Sequence, residues 1–304
     1  MRVGITGATG FIGRALIKAL RARGDSVVAF SRSAAKHRAL FGDGVEVLPL
    51  DELSPSVMSR LDAVVNLAGE PVSAGRWSDA RKDAILRSRV DVTGAVVRAM
   101  AGASPRPKAL VNASAVGFYG PCGDDEIDER SPAGDDFLAH VCREWEAAAE
   151  AATELGVRVV RARIGVVLGD GGGALEQMLP AFKMFVGGPV GSGRQYLPWI
   201  HRDDVVSMLL FALDRDDLRG AMNATAPEPA RFKDFAKELG AALSRPSWLP
   251  VPGLALKIAF GELSEVLLTG QRAVPRVALA SGYAFKFPSL REALRDLLSR
   301  EQKR

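Results

Sequence analysis

Cysteine and histidine are scarce in this chain, and their scarcity excludes several kinds of protein. The 304 residues include two cysteines, Cys122 and Cys142, and three histidines. Two thiols without metal-ligand spacing indicate neither a disulfide framework nor a zinc site. A reducing compartment fits them. We therefore expect a cytoplasmic protein that binds no metal.

Long apolar runs and a strong excess of one charge are also missing. No uninterrupted apolar stretch approaches the ~20 residues of a membrane helix. A strand predicted from residue 2 leaves no room for a signal peptide. Lys and Arg number 40 against 36 Asp and Glu, a net charge of +4, which is too small and dispersed to indicate nucleic acid. We expect neither a membrane nor a nucleic-acid partner, and RNA binding has only this slight charge in its favour.

What the chain does contain is an alternation of short apolar runs and amphipathic helical patterns through its first two thirds. Val, Ile and Leu runs separated by helices are typical of a parallel sheet covered on both faces. The fold class predicted is α/β, a Rossmann-like doubly wound parallel sheet. The runs predict strands near 2–5, 27–30, 45–48, 63–67, 108–112 and 157–161, with long helices at 77–100 and 137–155.

A glycine-rich turn, Thr6–Gly13, follows the first predicted strand and leads into an apolar helical pattern. Gly7 permits the tight turn, Gly10 lets the backbone approach a pyrophosphate, and Gly13 lets the helix pack on the strand. A glycine turn can join any strand to any helix, but this context favours an anion at the helix N-terminus. We predict a dinucleotide site that includes Gly7, Thr9, Gly10, Phe11, Ile12 and Gly13.

The end of the second predicted strand indicates which dinucleotide binds. NAD sites usually place Asp or Glu there to accept hydrogen bonds from the ribose, but this chain has Ser31 and Arg32. A forked, permanently charged guanidinium suits a 2′-phosphate, and the alternative is an ordinary surface arginine. We therefore predict NADP, with NAD less favoured, and place Ser31 and Arg32 in its site.

Other candidate cofactor contacts follow the third and fourth strands, because open parallel sheets bind ligands at that edge. Asp51 and Glu52 could flank the adenine or serve only as helix N-terminal charges. Small residues after the fourth strand would let a ligand lie against the backbone. Glu70 could bind a ribose hydroxyl or act as an acid or base. The fourth-strand candidates are Asn66, Ala68, Gly69 and Glu70.

The pattern loosens after about residue 170. Glycine-rich stretches at 171–173 and 187–193 are typical of flexible turns, and two further helices are predicted at 232–243 and 289–298. We predict an NADP-binding Rossmann domain and a smaller C-terminal substrate domain. The first comprises 1–170 with 199–225 returning to it, and the second comprises 171–198 and 226–304.

Several motifs resemble those of a known family. The segments Thr6–Gly13, Asn66–Gly69 and Asn112–Gly120 resemble the extended short-chain dehydrogenase/reductases. More narrowly, the chain is similar to an atypical branch called epimerase family or nucleoside-diphosphate-sugar epimerase, and the similarity covers essentially the whole chain. The resemblance implies an NAD(P) cofactor with contacts at Arg76 and Val166. By analogy, it also implies a homodimer formed through the helices at 77–100 and 137–155.

The proton-transfer residues of the resembling reductases are missing from their places. Active members use a Tyr and, four residues later, a Lys, with a Ser or Thr upstream. Ser114 fits the upstream position. Aligning Glu146 with the acidic residue that commonly follows the Lys puts Leu138 at the Tyr position and Cys142 at the Lys position. Leu cannot transfer a proton, and a thiol cannot replace a fixed ammonium.

Ser114 and Tyr119 remain as catalytic candidates. Ser114 would donate a hydrogen bond to the substrate oxygen, and Tyr119 or water would supply the proton. An unaided phenol titrates near 10, so Tyr119 needs a neighbouring charge, and its alternative role is packing. Further along, Arg194 could hold a phosphate or carboxylate and His201 could relay a proton. The structural alternative is that Trp199 and His201 pack the domain junction while Asp203 caps the following helix.

Two functions follow from these observations. The favoured one is an NADP-binding oxidoreductase or epimerase that acts on an unknown carbonyl or nucleotide-sugar substrate without the usual Tyr-x-x-x-Lys pair. The alternative is a non-catalytic NADP-binding regulator or scaffold, which the missing pair supports. The partners predicted are a small-molecule substrate and, by resemblance, a second copy of the chain.

Overall fold

The computed structural model describes residues 1–301, except the side chain of residue 301. Residues 302–304 of the predicted C-terminal domain lie outside this range. The strands are β1 (Arg2–Thr6), β2 (Ser26–Ser31), β3 (Val45–Pro49), β4 (Ala63–Asn66), β5 (Ala109–Ala115), β6 (Glu126–Ile127), β7 (Arg158–Ile164), β8 (Val166–Leu168), β9 (Tyr196–Leu197), β10 (Trp199–His201), β11 (Gly220–Ala224), β12 (Ala230–Arg231) and β13 (Arg272–Ala273).

The helices alternate with these strands along the chain. They are α1 (Phe11–Ala22), α2 (Ala34–Phe41), α3 (Pro55–Met58), α4 (Asp79–Ala101), α5 (Phe137–Glu150), α6 (Gly173–Lys183), α7 (Arg202–Asp214), α8 (Phe232–Leu243), α9 (Gly253–Phe260), α10 (Leu263–Leu268), α11 (Arg276–Ala280) and α12 (Leu290–Glu301). Short 3₁₀ helices lie at Leu50–Glu52, Val116–Tyr119 and Ala151–Leu155.

A central sheet of seven strands has the order β11-β7-β5-β4-β1-β2-β3. Each neighbouring pair in it runs parallel. The order of strands along the chain reverses between β1 and β4, so the sheet is doubly wound and the predicted α/β Rossmann-like fold is confirmed. Open parallel sheets bind ligands at the carboxyl ends of the two strands that flank such a reversal. Thr6 and Asn66 end those two strands.

Apolar side chains cover both faces of this sheet. In β4, Ala63 and Val65 pack into one apolar cluster and Val64 into another, because successive side chains point to opposite faces. Helices α1 and α7 contribute to the first cluster, and α3 and α4 to the second. This two-sided burial explains the continuous apolar runs that predicted the strands.

A further apolar cluster lies beyond the sheet. Helices α6, α8 and α12 build it together with β8 and β10, and its buried members include Leu168, Phe182, Trp199, Phe235 and Leu294. Strand β11, which the sequence pattern did not predict, adds to the edge of the central sheet beside β7. The domain boundaries themselves stay a prediction.

The start of α7 differs from the expectation in its cap. The prediction that Asp203 caps this helix is wrong: the cap is His201, whose Nδ1 accepts a hydrogen bond from the backbone N–H of Asp203 at 3.0 Å. Asp203 instead pairs with Arg300 of α12 at 2.8 Å. Trp199 and His201 are 1% and 0% exposed, as their structural interpretation requires.

No helix within residues 1–301 has the length and apolar character to cross a membrane. Among the side chains of residues 1–300, no group of three or more His, Cys, Asp and Glu is arranged to hold a metal ion.

Candidate functional site

The turn after β1 has the geometry that its glycines predict. Gly7 has φ +65°, and a Cβ there would lie 2.4 Å from the carbonyl oxygen of Leu67. A Cβ on Gly13 would lie 2.4 Å from the carbonyl oxygen of Gly7. Gly7 therefore lets β1 turn beside the end of β4, and Gly13 lets α1 pack on that turn.

Gly10 differs from the other two glycines because it faces open space. It forms the N-cap of α1, and no side chain caps that helix end. A Cβ on Gly10 would meet only the carbonyl oxygen of Gly7, at 3.1 Å, within 4 Å. The first N–H groups of α1 carry partial positive charge. The open face above Gly10 therefore fits a pyrophosphate. Thr9 and Ile12 beside it are half-buried.

Phe11 turns its ring away from this open face and onto the loop before α6. Added Cβ atoms on Gly169, Gly172 and Gly173 would lie 2.4, 2.6 and 2.9 Å from atoms of that ring. Gly172 and Gly173 were predicted as part of a flexible turn, but in the structure they and Gly169 make room for Phe11. Phe11 can thus contribute its backbone N–H to a ligand at the start of α1, while its side chain packs.

Arg32 lies at the rim of an open cavity beside the end of β2. Its side chain is 80% exposed and donates a hydrogen bond to Glu70 at 2.8 Å. The cavity has a volume of about 450 Å³, large enough for an adenosine group. Its lining residues are Arg32, Leu50, Asp51, Leu53, Asp91, Val92 and Ala95.

The other residues predicted for this end take different positions. The Ser31 hydroxyl is buried, lies 2.7 Å from Nδ1 of His37, and accepts from the Ser33 N–H at 3.1 Å. It shapes the turn that carries Arg32. Asp51 is exposed and lines the cavity, whereas Glu52 is exposed without lining it.

Asn66 lies behind the surface that a ligand would meet. Its side chain is 0% exposed and donates to Thr93 at 2.7 Å and to Asn112 at 2.6 Å. Its Oδ1 accepts from the Thr6 hydroxyl and from the Ala68 N–H. Asn66 was predicted to contact the cofactor, but its side chain holds the ends of β1, β4 and β5 together and positions Ala68.

Two residues named by resemblance lie elsewhere around the site. Arg76 is exposed in the loop before α4, and its guanidinium lies against Gly261 between α9 and α10. Val166 opens β8, is half-buried, and donates its N–H to the carbonyl of Pro198 at 2.7 Å. Arg194 is exposed in the loop before β9.

Ser114 lies one residue before the end of β5, inside a buried polar network. Its side chain is 2% exposed and donates to Glu146 at 2.7 Å. Glu146 on α5 also accepts two hydrogen bonds from Arg163 on β7, at 2.8 and 2.9 Å. This two-pronged, charge-assisted pair is the strongest kind of side-chain hydrogen bond, and it fixes the carboxylate that faces Ser114.

Tyr119 joins the same network from the other side. Its hydroxyl donates to Asn223 at 2.7 Å and accepts from Arg163 at 3.0 Å. Burial raises the pKa of Tyr119 to about 12, although Arg163 acts in the opposite direction. A phenol with that pKa is a weak proton-transfer group near pH 7, so this geometry favours the packing role for Tyr119.

The residues at the expected Tyr and Lys positions are both on α5 and carry no charge. Cys142 is 4% exposed and its thiol donates to the carbonyl of Ala115 at 3.7 Å. Burial raises the pKa of Cys142 to about 11, so the thiol stays neutral. Leu138 packs against Gly117.

Sequence reasoning missed most of this network. Arg161 and Arg163 were the available signal, because charged residues within an otherwise apolar buried strand require partners. The partners themselves could not be inferred from sequence. Glu146 lies on the preceding helix α5, and Asn223, the partner of Tyr119, lies on β11, more than fifty residues after Arg163.

This doubly wound sheet, with a glycine cradle at its reversal point, belongs to a protein of the NAD dependent epimerase/dehydratase family, which matches residues 3–224. Residues 251–297 match a second family, a domain of unknown function called DUF1731. The predicted resemblance is therefore confirmed.

Particular relatives are similar over nearly the whole chain. The chloroplastic SDR39U1 homolog of Arabidopsis thaliana is 46% identical, over 98% of this chain and 87% of that protein. Human epimerase family protein SDR39U1 is 40% identical, over 98% of this chain and 100% of that one. A crystal structure of its isoform 2 with NADPH superposes with a TM-score of 0.90, covering 98% and 99% of the two chains. With a chloroplastic relative among them, the cytoplasmic location stays a prediction.

Proposed function

We propose that this chain binds NADP(H) at the reversal point of its sheet and transfers hydride to or from a carbonyl or nucleotide-sugar substrate. The proposal is carried by two features at the same edge of the sheet. The open face above Gly10 follows β1, and the exposed guanidinium of Arg32 follows the neighbouring parallel strand β2. The pyrophosphate would lie at the start of α1, with adenosine in the cavity beside β2 and the 2′-phosphate on Arg32. The NADPH bound by the human relative supports this assignment.

When bound, the cofactor supplies the hydride through its nicotinamide ring. The chain's own contribution begins with Ser114 near the carboxyl end of β5. Its hydroxyl would turn from Glu146 to a substrate oxygen. Leu138 and Cys142 supply no titrating group near pH 7, and Tyr119 is held by Arg163 and Asn223. Water therefore supplies the proton in this proposal.

The Arg32→Ala variant tests the cofactor assignment. We expect its Kd for NADPH to rise about 10- to 100-fold, because a charge-assisted hydrogen bond contributes about 1.5–3 kcal/mol. Its Kd for NADH should change less than about threefold, since NADH has no 2′-phosphate for Arg32 to bind. Fluorescence titration with both nucleotides measures the two constants.

Arg38→Ala is the matched control for this experiment, because Arg38 is an exposed arginine of α2 that does not line the cavity. It should leave both constants unchanged. Equal weakening of NADPH and NADH by Arg32→Ala would contradict a 2′-phosphate at Arg32.

A second candidate function, a non-catalytic NADP-binding regulator or scaffold, is favoured by the neutral Leu138 and Cys142. A panel of aldehydes, ketones and nucleotide sugars, followed by NADPH absorbance, separates the two functions. For an enzyme, we expect slow turnover with some member of the panel and a loss of about tenfold or more in Ser114→Ala. Tight NADPH binding without turnover across the panel would favour the regulator.

A further inference from the structure

Arg89 is a half-buried cation at the carboxyl end of β4. Its guanidinium donates to the main-chain carbonyls of Ile85 at 2.9 Å and Glu70 at 3.1 Å. It lies on the backbone of Gly69, where an added Cβ would be 3.0 Å from its Cζ. Gly69, predicted as a cofactor contact, is thus the glycine that makes room for this arginine.

No carboxylate among the described side chains of residues 1–300 forms a salt bridge with Arg89. The carboxylate of Glu70 is directed to Arg32 at 2.8 Å and towards Arg81 at 3.7 Å. Burial lowers the pKa of Arg89, yet a guanidinium stays charged in proteins. The charge of Glu70 offsets part of this burial effect, but no carboxylate among the described residues contacts the guanidinium. A partly desolvated charge without a carboxylate in contact is unfavourable, so this position suits an anion brought by a ligand.

The surroundings of Arg89 connect it to both ends of the proposed site. The main chain of Leu67 contacts Gly7 of the glycine cradle, and Gly69, two residues after Leu67, lies against the guanidinium. On the other side, Arg89 stands 5.1 Å from the centre of the Trp145 ring. Cys142 lies one helical turn before Trp145 on α5. The cation thus faces the helix on which the resembling reductases have their lysine.

We propose that Arg89 is the oxyanion-binding residue of this site and takes a carboxylate or phosphate oxygen of the bound ligand. The proposal rests on the proposed function, because the ligand is the cofactor or substrate of that function. A guanidinium offers a planar set of donors that matches such oxygens. The guanidinium also donates to the Ser88 hydroxyl at 3.4 Å, and of its five N–H donors those not used on Ile85, Ser88 and Glu70 remain for this contact.

The test compares Arg89→Gln and Arg89→Lys with Arg87→Gln, a control on the same helix whose side chain is 69% exposed and paired with Asp83. NADPH is titrated into each protein by fluorescence, and oxalate is titrated into each NADP⁺-saturated protein by calorimetry. Thermal melting verifies that each variant is folded.

We expect Arg89→Gln to weaken at least one of the two probes by about tenfold or more. Arg89→Lys should lose less than Arg89→Gln because it keeps the charge, and Arg87→Gln should match the wild type. Loss of NADPH affinity identifies a cofactor phosphate as the oxyanion. Loss of oxalate affinity alone identifies a substrate carboxylate. A folded Arg89→Gln protein that binds NADPH as the wild type does, with no oxalate binding lost, overturns the proposal. Failure of the wild type to bind NADPH would instead overturn the proposed function.

Discussion

Gly10→Val should abolish dinucleotide binding while leaving the fold intact. The Cβ at this position meets only the carbonyl oxygen of Gly7, at 3.1 Å, and otherwise points into the open face of the cradle. Valine would fill the volume that a pyrophosphate needs above the start of α1. We expect the Kd for NADPH to rise more than about 100-fold, which corresponds to about 2.7 kcal/mol of binding free energy.

The same variant should keep its stability. Gly10 has φ −69° and ψ 171°, a conformation open to any residue, so the change in unfolding free energy should stay within about 1 kcal/mol. Gly10→Ala provides a graded comparison, because its single methyl group takes less of the cradle. A stable Gly10→Val protein that binds NADPH normally would place the cofactor elsewhere.

Arg163→Met should cost more stability than any surface substitution. Arg163 is 4% exposed, and its removal leaves the buried carboxylate of Glu146 without its two-pronged partner. Breaking a buried ion pair from one side typically costs about 3–5 kcal/mol. Arg161, whose Nη1 lies 3.4 Å from Glu146, compensates for part of this charge, so the lower end of that range is expected. Urea unfolding measures the loss.

Two further variants separate the buried charge from the lost packing. Arg163→Met combined with Glu146→Leu should recover part of the stability, because replacing both members of a buried pair by apolar groups is often neutral. Arg215→Met is a matched control: the Arg215 side chain is 40% exposed and pairs with Asp217 at 2.7 Å. It should change the free energy of unfolding by less than about 1 kcal/mol. A loss below about 1 kcal/mol in Arg163→Met would contradict the importance assigned to the network.

The chain's sequence by itself determined the central sheet and the cofactor cradle. Apolar runs predicted the first three strands and β4, β5 and β7, because burial on both faces leaves a local, continuous pattern. The positions of Gly7, Gly10 and Gly13 predicted the turn, since each role depends on backbone within a few residues. The absence of Tyr and Lys at positions 138 and 142 was equally visible in sequence.

Only the tertiary structure decided what the polar side chains do. Ser114 meets Glu146, and Tyr119 meets Asn223, because strand order and register bring distant segments together. Arg89 lies over Gly69, and Phe11 lies on the glycines before α6, through contacts that no local period encodes. Periodicity reports which residues are buried, but the partner of a buried polar group depends on how the strands and helices are placed in space.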